Sequence, residues 1–495
     1  MAPEPAPAAP PAPEPPTGES VAEPETEDAT ADDFDILEPP LDDNGNADRF
    51  VALRGRDLAY TATWSKWLSW DGRRWRIDEL GEPLNRAMQT GQLLRETVLA
   101  SIDPNPKERS EREKKLASFA TSSNNNNRLR AMVSLAQARS EIARATDHWD
   151  RDPWRLVVEN GTVCLRTGRL EPHIRADAIT KLAATRYEPE AECPRWLAFL
   201  DQIFEGDADL IAFTQRAVGY SLVGTPAEEV LFFLHGDGGN GKSVFYGTIL
   251  RLLGDYGTPA APELLDATEQ HPAGMADLRG ARFVVAPETE EGAAWSEKRA
   301  KLLASRDRIK ARFMGKNFFH FDPTHTLWIS GNHKPRIRGK DDGIWRRIRL
   351  IPFDVTIPPS QRDPELEDKL RAEWPGILAW AVRGCLAWQR DGLGRPERVE
   401  AATAEYRDEQ DPVGRFLRLC TLKLPGAEVR SSKLFEAFLS WAKESGERRV
   451  SSVRFAKALE RAGFEKRRSN GVRWLGLGLK SDDPAELEAD ERGAF

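Results

Sequence analysis

The chain of 495 residues has only four cysteines, Cys164, Cys193, Cys385 and Cys420, scattered with neither a CxxC pair nor a Cys/His zinc spacing. That excludes a disulfide framework and a metal ribbon, and a reduced compartment is expected. Long apolar runs are missing too: none reaches the roughly 18 residues of a membrane span, so no membrane partner is expected. The opening MAPEPAPAAPPAPEPP lacks the basic and apolar regions of a signal peptide. Histidine is scarce. His320, His325 and His333 fall close together, but no acid or cysteine joins them at ligand spacing, and no metal site is read there. No nucleophile elbow or catalytic triad is readable. Positive charge is absent from residues 1–48, which hold fourteen acids and no Lys or Arg.

The net charge of −8 therefore hides a division: residues 481–495 carry −5, and the body from 49 to 480 carries +11. A basic body suits polyanion binding, because cations that neutralise phosphates release counterions. The same excess also occurs in proteins that never touch nucleic acid. Residues 1–48, rich in Pro, Ala and Glu, are expected to be disordered. Within them DDFDILEPPLDD reads either as a solvating tail or as a docking motif built on Phe34, Ile36 and Leu37.

Residues 49–205 read as an α+β domain. Trp64, Trp67, Trp70 and Trp75 crowd a stretch with a hairpin turn at Asp71-Gly72, where core packing is the plainer reading and base stacking the functional one. RLRAMVSLAQARSEIARA (128–145) is expected to be helical, and VVENGTVCLRTGRLEPH to form two short strands. Residues 206–229 read as a helical collar, 230–360 as a parallel α/β core, 361–412 as a helical extension, 413–480 as a winged helix and 481–495 as an acidic tail. The expected core strands are 230–234, 282–286, 326–330 and 347–353.

The most specific motif is Gly236-Asp237-Gly238-Gly239-Asn240-Gly241-Lys242-Ser243, a full match to GxxxxGK[ST] between an apolar strand and a helix. Glycines let successive backbone N–H groups face phosphates at a helix N-terminus whose dipole favours anions. Lys242 should reach the terminal phosphates of ATP, and the Ser243 hydroxyl should ligate Mg²⁺. Glu288 and Glu290 follow a second apolar strand on the same side of an extended chain, one for the Mg²⁺ shell and one to orient water. Asn332 ends a third strand, where it can sense the terminal phosphate; Gly-Asn is also an ordinary turn. Arg346 and Arg347 precede the last strand, either as surface cations or as an arginine finger. Between these, residues 298–316 hold eight cations and one acid, and IKARFMGKNFFHF (309–321) reads as a β-hairpin with a basic tip at Gly315-Lys316-Asn317, which suits a DNA backbone or merely solvent.

Taken together, GDGGNGKS, LRGARFVVAPETEEG, KLLASRD–IKAR, ISGNHKP and DDGIWRRIRLIPF, with NGTVCLRTGRLEPH and YEPEAECPRWLAFL ahead of them, resemble the superfamily 3 helicases. More specifically, they resemble the phage and plasmid primase-helicases and their poxvirus relatives. The resemblance spans roughly residues 60–412. It implies a P-loop, AAA+-like ATPase core and a homo-hexameric, ATP- and Mg²⁺-dependent DNA helicase. Such a helicase moves 3′ to 5′ on single-stranded and forked DNA in the bacterial cytoplasm or nucleoid, with a separate primase or replication protein as a further partner. By the same resemblance Lys242, Ser243, Glu288, Asn332 and Arg346 or Arg347 take the nucleotide roles. Lys301, Asp307 and Arg312 match the intervening segment, and Lys316 sits at the hairpin tip; Arg308 and Lys310 join the DNA-binding set. The chain departs from the family at Ala304-Ser305-Arg306-Asp307, where relatives carry a Thr-Gly-Gly-Asp-like turn, and it shows no primase acid pair, so no primer synthesis is expected. In the winged helix Arg467 and Arg468 flank a turn at Asn470-Gly471, for DNA phosphates or protein contacts. Two other functions remain open: an ATPase that loads or remodels replication proteins, and an origin-binding module that does not unwind.

Overall fold

A computed structural model describes residues 34–265, 274–286, 295–312, 318–337, 342–468 and 471–480. Two compact units emerge among the described residues, one of 34–69 with 77–146 and one of 70–76 with 147–480. In the first, the expected tail ends sooner than position 48. Residues 1–33 lie outside the described ones, but residues 34–48 are folded. Ile36 is buried with Leu94, Val98, Ile102 and Phe119, and Phe34 and Leu37 pack on the same cluster. A buried guanidinium fastens this strap: Arg49 donates to the carbonyls of Ile36 and Pro40 at 2.7 and 2.9 Å. The acids around the motif disguised three apolar side chains that find their partner within the same unit.

Helix α1 (Asp43–Arg54) follows, its N-terminus closed by the Asp42 carboxylate accepting from Gly45 N at 2.8 Å. Strands β1 (Leu58–Thr61) and β2 (Lys66–Trp70) pair antiparallel. Chain order continues through β3 (Trp75–Ile77), α2 (Glu82–Ser101), α3 (Glu111–Ser122) and α4 (Asn126–Ala136). The helix expected over 128–145 stops at Ala136, because the chain leaves it to meet β1: Tyr60 N donates to Ile142 O and Arg144 N to Tyr60 O.

In the second unit β4 (Arg155–Val158), β5 (Gly161–Cys164) and β6 (Arg169–Glu171) form an antiparallel sheet, three strands where two were expected. Helices α5 (Pro194–Phe204) and α6 (Ala208–Tyr220) lead to a five-stranded, wholly parallel sheet. Its members are β7 (Leu231–His235), β8 (Gly257–Pro259), β9 (Phe283–Ala286), β12 (Thr326–Gly331) and β13 (Ile348–Pro352), in the spatial order β13-β7-β12-β9-β8. Alternate side chains fill opposite faces. Phe232, Leu234, Phe283, Val285, Trp328 and Ile351 enter one core, while Leu231, Phe233, Val284, Leu327, Ile329 and Leu350 enter the other. Burial on both faces is why these strands read as unbroken apolar runs.

Between the strands lie α7 (Lys242–Leu252), α8 (Glu297–Leu303), the antiparallel pair β10 (Ile309–Ala311) and β11 (Phe319–Phe321), and α9 (Asp342–Trp345). After the sheet come α10 (Leu366–Ala372), α11 (Trp374–Asp391) and α12 (Glu397–Glu409). Helices α6 and α11 cross so closely that a Cβ on Gly384 would stand 2.2 Å from Gln215 O.

The chain ends in a small module: α13 (Pro412–Cys420), β14 (Thr421–Arg430), α14 (Ser431–Glu444), α15 (Ser452–Arg461), β15 (Lys466–Arg468) and β16 (Val472–Leu479). Its antiparallel sheet runs β14-β16-β15 around a core of Phe416, Phe438, Phe455 and Trp474. Helices α14 and α15 followed by the strand pair β15 and β16 keep the order expected for residues 413–480, and β14 adds a third strand. No helix among the described residues is long and apolar enough to cross a membrane.

Candidate nucleotide and nucleic-acid site

The glycine-rich segment forms the turn from β7 into α7. Gly236, Gly239 and Gly241 all have positive φ, +157°, +78° and +86°. Gly241 has a second constraint: a Cβ there would meet Ile203 Cγ2 at 2.7 Å and the Phe199 ring at 3.1 Å. The turn is held from beneath by Asn240, 3% exposed, whose Nδ2 donates to Phe353 O at 3.1 Å, while Ile357 N donates to Gly239 O at 3.0 Å.

Lys242, first residue of α7, is 5% exposed. Its ammonium donates to Asn240 Oδ1 at 3.1 Å, Asn332 Oδ1 at 3.0 Å, Asp237 O at 3.4 Å and also to Gly236 O. The contact with Asn332 follows from topology. Strand β12 lies beside β7 with Gly331 level with His235, so the next residue projects at the edge where the turn sits. Ser243 is exposed at the start of the same helix, and Asp237, Gly238 and Gly239 are exposed in the turn. Burial pushes the pKa of His235 below the usual imidazole value, and the nearby charges of Lys334 and Lys242 push it further.

A buried ammonium, an exposed hydroxyl and the N–H groups of a helix start make a donor set that suits an anion. This fits a triphosphate held by Lys242 and the backbone of 238–243, with Ser243 offering an oxygen to its Mg²⁺. Glu288 and Glu290 lie outside the described residues; β9, which leads to them, ends at the same sheet edge as the turn.

The two arginines before β13 have different surroundings. Arg347 is 8% exposed and donates to Glu229 at 2.9 Å and to Gly343 O at 2.8 Å. Arg346 is exposed. Strand β13 runs parallel to β7 with Ile348 level with Leu231 and Pro352 level with His235. Arg346 therefore sits at the sheet edge opposite the glycine turn, about 16 Å away or more at the rise of a parallel strand.

Among the expected DNA-contacting residues, Lys301 is half-buried on α8, and Arg308 pairs with Asp322 at 3.2 Å on the surface. Asp307 accepts from Ser305 Oγ at 3.2 Å, the local bond in the turn that departs from the family pattern. Lys310 and Arg312 are exposed on the hairpin and flank the ring of Phe318, at 4.6 and 5.0 Å from its centroid. Lys316 lies outside the described residues, as does Asn470. In the terminal module Arg467 is tied to Glu428 at 2.9 Å, whereas Arg468 is exposed.

Two residues escaped the sequence reading. Phe318, 48% exposed between two cations, was hidden in the run NFFHF, whose other two phenyl rings are half-buried at Phe319 and buried at Phe321. Arg362 stands with its guanidinium against Gly239, held by Ile357 O at 2.9 Å, and its distance from the motif along the chain gave no signal.

Residues 47–205 match the family model described as D5 N terminal like, and 234–347 match one described as a family of unknown function (DUF5906). A protein of Acanthamoeba polyphaga mimivirus, named as a candidate helicase, is 25% identical over 325 residues, covering 60% of this chain and 34% of its own length. Another so named, from Frog virus 3, is 26% identical over 271 residues, 50% of this chain and 27% of its own. A protein of African swine fever virus, named as a candidate primase, is 24% identical over 328 residues, 59% of this chain and 33% of its own. The chain thus spans about a third or less of the length of these relatives. Among solved structures, the apo NrS-1 C-terminal region (305–718) aligns at 9% identity over 88% of this chain and 99% of that one, with a TM-score of 0.49.

Proposed function

We propose, because this chain belongs to the D5-like primase-helicase family, that it is a ring-forming, ATP-driven DNA helicase of phage or plasmid replication. The observation that carries the reading is the hydrogen bond from Lys242 Nζ to Asn332 Oδ1 at 3.0 Å, which joins the glycine turn to the end of the neighbouring strand. In this reading residues 230–360 are a P-loop, AAA+-like core and 413–480 a winged helix.

Bound Mg²⁺-ATP supplies the phosphoanhydride bond to be cleaved. Lys242 leaves its carbonyl partners to neutralise the terminal phosphates, and Ser243 contributes a hydroxyl to the metal shell. Asn332, released from the ammonium, orients water or the terminal phosphate, a task that needs positioning rather than covalent chemistry. Glu288 and Glu290 are assigned to the metal shell and to the attacking water.

Arg346 is assigned to a neighbouring subunit's nucleotide. Its exposure and its place at the far sheet edge support that role, since its own turn is beyond the reach of one side chain. Turnover would then move the hairpin cations Lys310, Arg312 and Lys316, with Lys301 and Arg308, along a single strand. The reading further assigns a hexamer moving 3′ to 5′ on forked DNA in the bacterial cytoplasm, with a primase or another replication protein as partner.

Strand displacement on a forked duplex tests this. The full chain should separate the strands with ATP and fail with Lys242→Ala. Arg346→Ala should bind ATP without hydrolysing it, and mixing the two variants should restore part of the turnover. Full ATPase speed in a monomer, or DNA-stimulated hydrolysis without displacement, would overturn the helicase assignment in favour of a loader.

A further inference from the structure

In the ATP-driven reading one end of the nucleotide has its partners and the other has none. Lys242 and Asn332 take the terminal phosphate, and the hydrogen bond between them marks where it lies. Asn332 follows β12, which flanks β7 on one side, so the terminal phosphate belongs on the β12 side of the glycine turn. Strand β13 flanks β7 on the other side. A nucleotide whose phosphates point towards β12 sends its ribose and base towards β13.

The chain that leaves β13 walls that side. Phe353 O accepts from Asn240 Nδ2 at 3.1 Å, and Ile357 N donates to Gly239 O at 3.0 Å. Pro358 and Pro359 follow, and in the short turn Pro359–Gln361 the next residue, Arg362, donates its N–H to Pro359 O at 3.3 Å. Each proline fixes its own φ, so the approach to Arg362 is stiff. Beyond it Lys369 pairs with Asp363 at 2.7 Å, and Glu367 pairs with Arg251 at 2.9 Å. The second pair ties α10 to α7, the helix that starts at Lys242.

Arg362 is exposed, and only part of its guanidinium is used. Nε donates to Ile357 O at 2.9 Å, while Nη1 and Nη2 have no hydrogen-bond partner among the described residues. The group lies on the turn itself. A Cβ built on Gly239 would stand 2.3 Å from Nη2 and 3.1 Å from Cζ. Gly239 also has a φ of +78°, so conformation and space both exclude a side chain there. A planar cation is thus held against the turn on the side where ribose and base emerge.

We infer that Arg362 holds the base end of the nucleotide, its guanidinium plane stacked on the purine while Nε stays with Ile357. The inference rests on the ATP-driven reading and deepens it, because the residues assigned there all address phosphates, metal or water. A guanidinium is planar, delocalised and weakly hydrated, and it stacks on flat rings as an ammonium does not. Its free edge, Nη1 and Nη2, stays open to water or to the ribose.

The test is calorimetric titration of the full chain with Mg²⁺-ATP and with Mg²⁺-tripolyphosphate, which has neither ribose nor base. Arg362→Ala should weaken ATP about tenfold and leave tripolyphosphate within about twofold, as loss of one stacking contact requires. The melting temperature should hold, since the position is exposed. Arg362→Tyr, which offers a flat ring face, should recover much of the ATP affinity, and Arg362→Lys should not. Under turnover KM should rise by the same factor while kcat at saturation holds, the mark of uniform binding. Equal losses on ATP and tripolyphosphate would put the guanidinium on a phosphate or make it a brace for the turn, and would overturn the inference. Unchanged ATP affinity would overturn it too. A wild-type chain that binds neither ligand would instead sink the ATP-driven reading, so the two failures give separate results.

Discussion

Two neighbouring arginines show how far identical side chains can diverge. Arg347 is buried against Glu229 and the Gly343 carbonyl, and Arg346 is exposed. Removing one partner of a largely buried pair strands the other, so Arg347→Ala should destabilise by about 2 kcal/mol, discounted for the partial exposure of Glu229. A lower melting temperature than for Arg346→Ala would show it. His325 makes a pH-dependent case. It is 1% exposed, and burial pushes its pKa down to about 4. The unfolded chain therefore takes up a proton that the folded one refuses as pH falls from about 6.5 towards 4, and stability is lost across that window. At pH 5 the loss is about 2 kcal/mol. His325→Leu should narrow the gap in melting temperature between pH 7 and pH 5; an unchanged gap would show that other groups set it.

At the scale of elements, the sheet is both the clearest feature of the sequence and the device that makes the site. The four expected strands formed within a residue or two of their expected limits, since apolar runs buried on both faces carry a strong signal. The fifth, Gly257–Pro259, was illegible: three residues at a sheet edge have no periodicity to read. The close crossing of α6 and α11 was equally silent, because a glycine in a helical pattern does not announce what lies against it. A methyl group on Gly384 would stand 2.2 Å from Gln215 O, a backbone atom that cannot rotate away. Gly384→Ala should cost about 1–3 kcal/mol through overpacking, visible as a lower melting temperature. An unchanged melt would mean that the helices can separate freely.

For the whole molecule, charge is partitioned along the chain. Residues 1–33 and 481–495 together contribute −14, so the chain between them carries +6. A net negative molecule must present cations locally to bind a polyanion, and the tails set the background against which it does so. Removing both tails should raise DNA affinity at low ionic strength and make little difference at high salt, where screening shortens the reach of every charge. Equal affinities at low salt would show that the tails lie outside the electrostatic range of the binding surfaces.

By itself, the sequence determined the parallel core, the glycine turn with its lysine, and the order in which Lys242, Asn332 and Arg346 appear. Those properties are local, set by apolar runs, by backbone freedom and by residue spacing. Only the tertiary structure decided which of two arginines is spent internally, which cations of the terminal module Glu428 holds, and that Ile36 belongs to a core rather than a tail. Such choices depend on what lies across space from a side chain, and burial and pairing between distant residues leave no trace in local spacing.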